Sequence, residues 1–355
     1  MLTLYVMSME SFAGKTVLCL GLAKKLAAEG HSVGYIRPFT VALRELESAR
    51  TCTSVIKSSL GLPEPMDVLN PVVIDGEALD WILNEKIGDL TRKVTDAFKI
   101  VSSGKDVMLV EGVSGLAEGA MVGLDAQSTV GLLDARCLLV MRGSTETMED
   151  GILAAKKWLG DRCLGVVMNA VPQGMIEFVN ESLIPFLARR GVKVYAVLPE
   201  DKMLMAATVG ELVERLGGRV ISGQDRMDEL VENVMVGAMS VENALNYFRR
   251  RPNKVVITGG DRPDIQLAAL ETSTKCLVLT GNLYPSPLIL GRAEELGVPV
   301  LLVEQDTLTA AGLVEQAFSE VQFHQEKKIK RFDRMLESHM NFQELWKDLG
   351  VTPKP

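Results

Sequence analysis

The sequence predicts an α/β protein, a doubly wound and mostly parallel sheet followed by a second, smaller α/β domain. Short apolar runs that end in glycine or acidic residues alternate with longer amphipathic segments, which is the rhythm of βαβ units. The strand runs are rich in Val, Leu and Met without clean alternation, as expected of strands covered on both faces. A chain of 355 residues also exceeds the roughly 250–300 that one hydrophobic core serves, so two domains are expected.

In the first half, strands are expected over 3–8, 32–37, 107–111, 137–141, 164–169 and 193–198, with helices over 16–29, 85–103, 146–158 and 176–190. Each helix is closed by Gly within a few residues. After Pro199-Glu200-Asp201 a second series begins. Its helices are expected over 209–216, 241–249, 264–271, 287–296 and 308–320, and its strands over 219–222, 254–258, 276–280 and 298–304. The expected division is therefore 1–202, 203–322, and a C-terminal helix and tail over 323–355.

Composition narrows the function. Hydrophobic residues at 47% and charged residues at 24% are ordinary for a globular chain. A net charge of −8 argues against a general grip on nucleic-acid phosphates. Cys19, Cys52, Cys137, Cys163 and Cys276 are scattered, with no C-x-x-C pair and no His at ligand spacing, which is poor material for disulfides or zinc. The apolar segment 2–7 is interrupted by Glu10 and Lys15 and has no basic stretch before it, unlike a signal peptide. No run approaches the ~18 apolar residues of a membrane span. A cytoplasmic protein with neither membrane nor nucleic-acid partner is expected.

The first strand runs into Met9-Glu10-Ser11-Phe12-Ala13-Gly14-Lys15-Thr16, and an amphipathic helix follows at once. That context is the one a phosphate-binding loop requires. Loop N–H groups and the helix N-terminus offer donors and partial positive charge to phosphate oxygens. Ser11, Phe12, Ala13 and Gly14 would line the phosphates, Lys15 would add a full charge, and Thr16 a hydroxyl for Mg²⁺. Met9 stands where the usual pattern has Gly, and a plain strand-to-helix turn is the alternative. Further on, Val107-Met108-Leu109-Val110 ends in Glu111-Gly112, a carboxylate at the strand edge where open parallel sheets bind ligands. Glu111 suits Mg²⁺ as a hard oxygen ligand, or it caps the next turn.

These segments, with Arg37-Pro38, Gly165-Val166-Val167-Met168-Asn169 and Leu198-Pro199-Glu200-Asp201 in order, resemble the dethiobiotin synthetase-like P-loop domain. The nearest form is the one at the N-terminus of long bacterial phosphotransacetylases. The resemblance covers about 1–202 and implies ATP with Mg²⁺ as cofactors, Thr16 and Glu111 as metal ligands, and Asn169, with Pro199 nearby, at the adenine. Two departures count against dethiobiotin formation. The synthetases hold their carbamate with a Lys where this chain has Arg37, a planar cation that does not replace an amine. They also place an Asp on the following helix, where 44–60 offers only Glu45 and Glu47. A phosphotransacetylase catalytic domain is not expected.

Residues 205–320 are similar to the DRTGG domain, on Thr208-Val209-Gly210-Glu211-Leu212, Thr258-Gly259-Gly260-Asp261-Arg262-Pro263, Leu279-Thr280-Gly281-Asn282 and Pro299-Val300-Leu301-Leu302-Val303. The resemblance implies a ligand-sensing or dimer-forming module. Gly260, Asp261, Arg262, Thr280 and Gly281 lie at strand ends and form a candidate second site for a small anion or nucleotide, or else a helix cap and dimer face. The region contains no His and no clustered carboxylates, so the usual general bases are missing. Beyond it Ile329, Phe332, Leu336 and Met340 form one helical stripe, expected on its own domain or in a homodimer interface. The leading functional expectation is a regulatory ATP-binding protein with weak or no turnover. Its rivals are an ATP-dependent carboxylate-activating ligase or amidotransferase-like enzyme, and a non-catalytic structural subunit.

Overall fold

The structure is a computed structural model, and it describes residues 1–42, 46–84, 86, 88–143, 148–319 and 325–354. The chain forms two compact units, Met1–Glu200 together with Phe323–Pro355, and Asp201–Gln322.

The first unit is built on six parallel strands, β1 (Leu2–Ser8), β2 (Val33–Ile36), β5 (Val107–Glu111), β6 (Arg136–Arg142), β7 (Cys163–Val171) and β8 (Lys193–Pro199), in the order β2-β5-β1-β6-β7-β8. A short parallel pair, β3 (Phe39–Val41) and β4 (Val72–Ile74), stands beside them. Leu4, Val6, Leu109, Val110, Leu138 and Val167 are all fully buried, because helices cover both faces and every strand residue has a neighbour. The chain leaves β1 toward β2 on one side and β5 toward β6 on the other. The sheet order therefore reverses at β1, and the crevice at its carboxyl end is the ligand position of such sheets. Helix α1 (Lys15–Ala28) starts there, and α2 (Leu46–Leu60) packs on α1. Glu45 and the start of the helix expected from 146 lie outside the described residues.

Two expectations are corrected. A helix at Gly76–Leu83 was not expected, and the one expected over 85–103 spans only Leu90–Val101. Asp89 caps the latter by accepting a bond from the Arg92 N–H at 3.0 Å, which fixes a new start. The helix expected over 176–190 passes through a π turn at Val179–Leu183, just ahead of Pro185, whose missing N–H cannot continue the α ladder. The apolar stripe of helix Glu326–His339 packs within this chain. It is spent on the first unit, where Ile329, Phe332 and Leu336 are buried and Lys24 of α1 pairs with Asp333 at 2.7 Å. Leu336 Cδ2 lies 2.7 Å from where a Cβ on Gly21 would stand, so α1 needs a glycine at the crossing. The tail then adds to the β8 edge, with the Asn341 N–H donating to the Tyr195 carbonyl at 2.8 Å.

The second unit has a five-stranded sheet, β10 (Arg219–Ser222), β12 (Asn233–Val236), β13 (Lys254–Gly259), β14 (Thr274–Thr280) and β15 (Val300–Leu302), in the order β10-β15-β14-β13-β12. All neighbours are parallel except β10 with β15. The pair β9 (Ala207–Thr208) and β11 (Leu230–Val231) forms a small antiparallel ribbon. Cores lie on both faces, one around Leu212, Ile257 and Val314 and the other around Phe248, Ile265 and Leu277. Thr208 and Glu211 form a reciprocal capping box at the first helix, Val209–Leu216.

Candidate nucleotide site

Ser8 ends β1, and α1 begins seven residues later at Lys15. Between them the chain needs left-handed backbone twice, at Phe12 (φ 55°) and Gly14 (φ 97°). Only glycine serves at the second, because a Cβ there would run into the Asn169 side chain. Phe12 points out, 41% exposed, and Ala13 is fully buried beneath the loop. Ser11 is exposed.

Lys15 is 7% exposed. Its ammonium donates to Ser8 Oγ at 2.8 Å and to Ser114 Oγ at 2.7 Å, so it lies between the ends of β1 and the loop after β5. Burial pushes its pKa down, and the Glu111 carboxylate opposes that. Thr16 Oγ1 donates to Glu111 Oε1 at 2.7 Å, and Tyr35 OH donates to Glu111 Oε2, also at 2.7 Å. Arg37 stands 3.6 Å from Oε1. Burial, then the adjacent Glu111 charge, hold the Tyr35 phenol well above its usual range, so it remains a donor at neutral pH. Glu111, 1% exposed, is thus neutralised from three sides.

Sequence reasoning overlooked Ser8, Ser114 and Tyr35. A signal existed for each: Ser8 and Ser114 flank the two motifs, and Tyr35 is two residues from Arg37, hence on the same strand face. Asn169, expected at an adenine, buttresses the loop by donating from Nδ2 to the Ala13 carbonyl at 2.9 Å. Pro199 ends β8 and lines a cavity of about 450 Å³ with Tyr195, His339 and Asn341, which no phosphate-loop residue lines.

Thr16 and Glu111 supply two oxygen donors facing each other, which fits Mg²⁺ held through one carboxylate, waters and phosphates. Among the described residues no group of three His, Cys, Asp or Glu gathers to hold a metal. Arg37 already supplies one positive charge at the same carboxylate oxygen.

The candidate second site is assembled at the carboxyl ends of β13 and β14. The Gly260 N–H donates to the Thr280 carbonyl at 3.3 Å, and Thr280 Oγ1 is 2.9 Å from Thr307 Oγ1. Gly260 has no room for a Cβ against the Leu283 carbonyl, and Gly281 has φ 76°. Arg262 pairs with Asp264 at 3.0 Å and precedes the helix Pro263–Leu270 without a side-chain cap. Gln266, fully buried, donates to the Gly259 and Gly260 carbonyls, while its Oε1 has no partner. Asp261 stands in the turn between Gly260 and Arg262.

Fold and loop together define a P-loop α/β domain joined to a smaller α/β unit. The chain belongs to the AAA domain family of dethiobiotin synthetase-like P-loop proteins, whose profile matches residues 2–208, and a DRTGG domain profile matches 211–317. It is 24% identical over 389 residues to the phosphate acetyltransferase of Synechocystis, covering 99% of this chain and 53% of that protein. The Pseudomonas aeruginosa phosphate acetyltransferase is 27% identical over 371 residues, covering 96% and 51%. The ATP-dependent dethiobiotin synthetase of Methanococcus vannielii is 28% identical over 173 residues, covering 47% and 79%. The chain spans about half the length of the phosphate acetyltransferases it matches. Among solved structures, the MinD cell division protein of Aquifex aeolicus covers 57% of the chain with a TM-score of 0.37 at 17% identity. The CBS and DRTGG domains of a Clostridium perfringens pyrophosphatase, solved with the activator diadenosine tetraphosphate, cover 38% with a TM-score of 0.30 at 20% identity. No described helix is long and apolar enough to cross a membrane.

Proposed function

We propose that the first unit binds ATP on the loop Ser11–Thr16, with Mg²⁺ held by Thr16 and Glu111, and serves as a regulatory nucleotide-binding module with weak or no turnover. One observation carries this reading: Lys15, Thr16, Ser8 and Ser114 form a complete phosphate cradle, while both oxygens of Glu111 are already engaged by Thr16 and Tyr35. The cradle can hold charge, and the hydroxyls of Thr16 and Tyr35 fix the strand-end carboxylate in place, as suits a group that positions a cation. In this reading Thr16 and Glu111 would hold Mg²⁺, which would supply positive charge to the phosphates, Lys15 exchanges its serine partners for the phosphates, and Asn169 holds the loop at Ala13.

The second unit reads a small ligand at Gly260, Asp261, Arg262, Thr280 and Gly281, or joins two copies of the chain. A homodimer through this unit is supported by Leu283, Tyr284, Leu288 and Leu308, which stand 47% to 84% exposed beyond the ends of β14 and β15. A ligase-like reading draws on Arg37, a buried guanidinium whose Nε has no partner and which could hold a substrate carboxylate. Phosphate release at saturating ATP separates the two. Release equal to that of Lys15→Ala, with ATP still bound by the unaltered protein, supports the regulatory reading. Lys15-dependent turnover on the order of 1 s⁻¹ or faster, raised by a carboxylate substrate, overturns it.

A further inference from the structure

At the edge of the first sheet opposite the phosphate loop lies a cavity of about 860 Å³, within the range of small-molecule sites. It opens beside the amino ends of β1 and β2. The C-terminal turn of α1 and the segment that includes helix Phe342–Leu349 line it. Two of its wall residues are unusual. His31, 7% exposed, has no hydrogen-bond partner at either ring nitrogen, and Trp346, also 7% exposed, has none at Nε1. Each buried polar group left unpaired costs about 1–3 kcal/mol, and buried polar groups are nearly always satisfied. All three atoms belong to residues that line this one cavity.

The rest of the lining describes that partner. Lys25, Lys347 and Lys354 line the cavity with one carboxylate, Glu29, which pairs with Lys25 at 3.3 Å; the positive excess that is left suits an occupant with negative charge. Phe342 and Trp346 have ring centroids 5.8 Å apart with their planes tilted by 38° and give it two aromatic faces, and Lys25 lies 5.5 Å from the Phe342 centroid. Lys354 is tied to Asp106 at 2.5 Å.

We propose that this cavity is a second small-ligand site, for a flat ring bearing an anionic group. The ring lies on Phe342 and Trp346, the anion meets Lys25 and Lys347, and polar atoms of the ligand pair with His31 and Trp346 Nε1. The proposal does not rest on ATP binding at the phosphate loop, since none of these residues touches Lys15 or Thr16.

The chain has three tryptophans, so fluorotryptophan labelling of the full chain gives three fluorine signals, assigned with Trp81→Phe and Trp158→Phe. Salicylate and adenosine monophosphate serve as probes, one presenting a carboxylate and the other a phosphate. The expected result is a saturable shift of the Trp346 signal alone, at a dissociation constant below about 1 mM, for at least one probe. Which probe works identifies the anion. The shift should persist in Lys15→Ala and weaken at least threefold in Lys347→Glu, an exposed rim substitution that leaves the core intact, and in His31→Asn. No shift from either probe, or one that Lys347→Glu and His31→Asn leave unchanged, overturns the proposal.

Discussion

Replacing Arg37 with Met keeps the apolar stem and removes the guanidinium standing 3.6 Å from Glu111 Oε1. At an effective dielectric of about 20, the attraction at that distance is ~5 kcal/mol. Breaking a buried pair from one side costs about 3–5 kcal/mol, because the other charge is left uncompensated. Glu111 keeps the Thr16 and Tyr35 hydroxyls, so the expected loss lies at the lower end, ~3 kcal/mol. Trp81, Trp158 and Trp346 all belong to the first unit, so tryptophan fluorescence in a urea titration reads that unit alone. A divalent cation restores positive charge beside Glu111, so ATP with Mg²⁺ should recover more stability in Arg37→Met than in the unaltered protein. A variant within ~1 kcal/mol of the parent, with the same response to Mg²⁺, would refute the reasoning.

Lys254 is fully buried in the second unit, where its ammonium donates to Thr272 Oγ1 and the Ser273 carbonyl, and burial lowers its pKa from 10.5 to about 8. The unfolded chain therefore binds the proton more tightly between those values, so the stability of that unit should rise with pH from about 8 to 10.5. Lys254→Met should remove the slope and add up to ~3 kcal/mol at pH 7, as read by calorimetry across pH. Gly14→Ala places a Cβ at φ 97° against Asn169. Left-handed strain of about 1–2 kcal/mol plus that clash should weaken ATP binding at least tenfold by calorimetric titration, and unchanged affinity would mean the loop is not the site. Leu336→Ala should cost about 2–5 kcal/mol in the first unit's urea transition and leave the mass by light scattering unchanged, whereas loss of a dimer would restore the stripe to an interface.

The sheet was legible because β1, β5 and β6 are apolar runs closed by Ser8, Glu111 and Arg142, a pattern that strand burial on two faces produces directly. The loop was legible because strand, Gly14-Lys15-Thr16 and helix adjoin in sequence. Partners brought together across the sheet were less so: Tyr35, Ser114 and Asn169 meet the loop only because β2, β5 and β7 align their carboxyl ends. Asn169 took its expected role from a resemblance, and its bond to the Ala13 carbonyl, a contact across the sheet, was not legible. The edge strand Asn233–Val236 was missed, since Asn233 and Glu232 break its apolar run. The stripe of Ile329, Phe332 and Leu336 was read correctly as a face, but periodicity cannot say which surface covers it.

The central claim is that Lys15 and its neighbours bind nucleoside triphosphate. Calorimetric titration of ATP, with and without Mg²⁺, into the full chain and into Lys15→Ala tests it most directly. The account predicts one site per chain in the unaltered protein, tighter with Mg²⁺, and a loss of at least a hundredfold in Lys15→Ala, as befits a buried charge-assisted contact. ATP bound equally well by Lys15→Ala, or no heat from the unaltered protein with or without Mg²⁺, would contradict it.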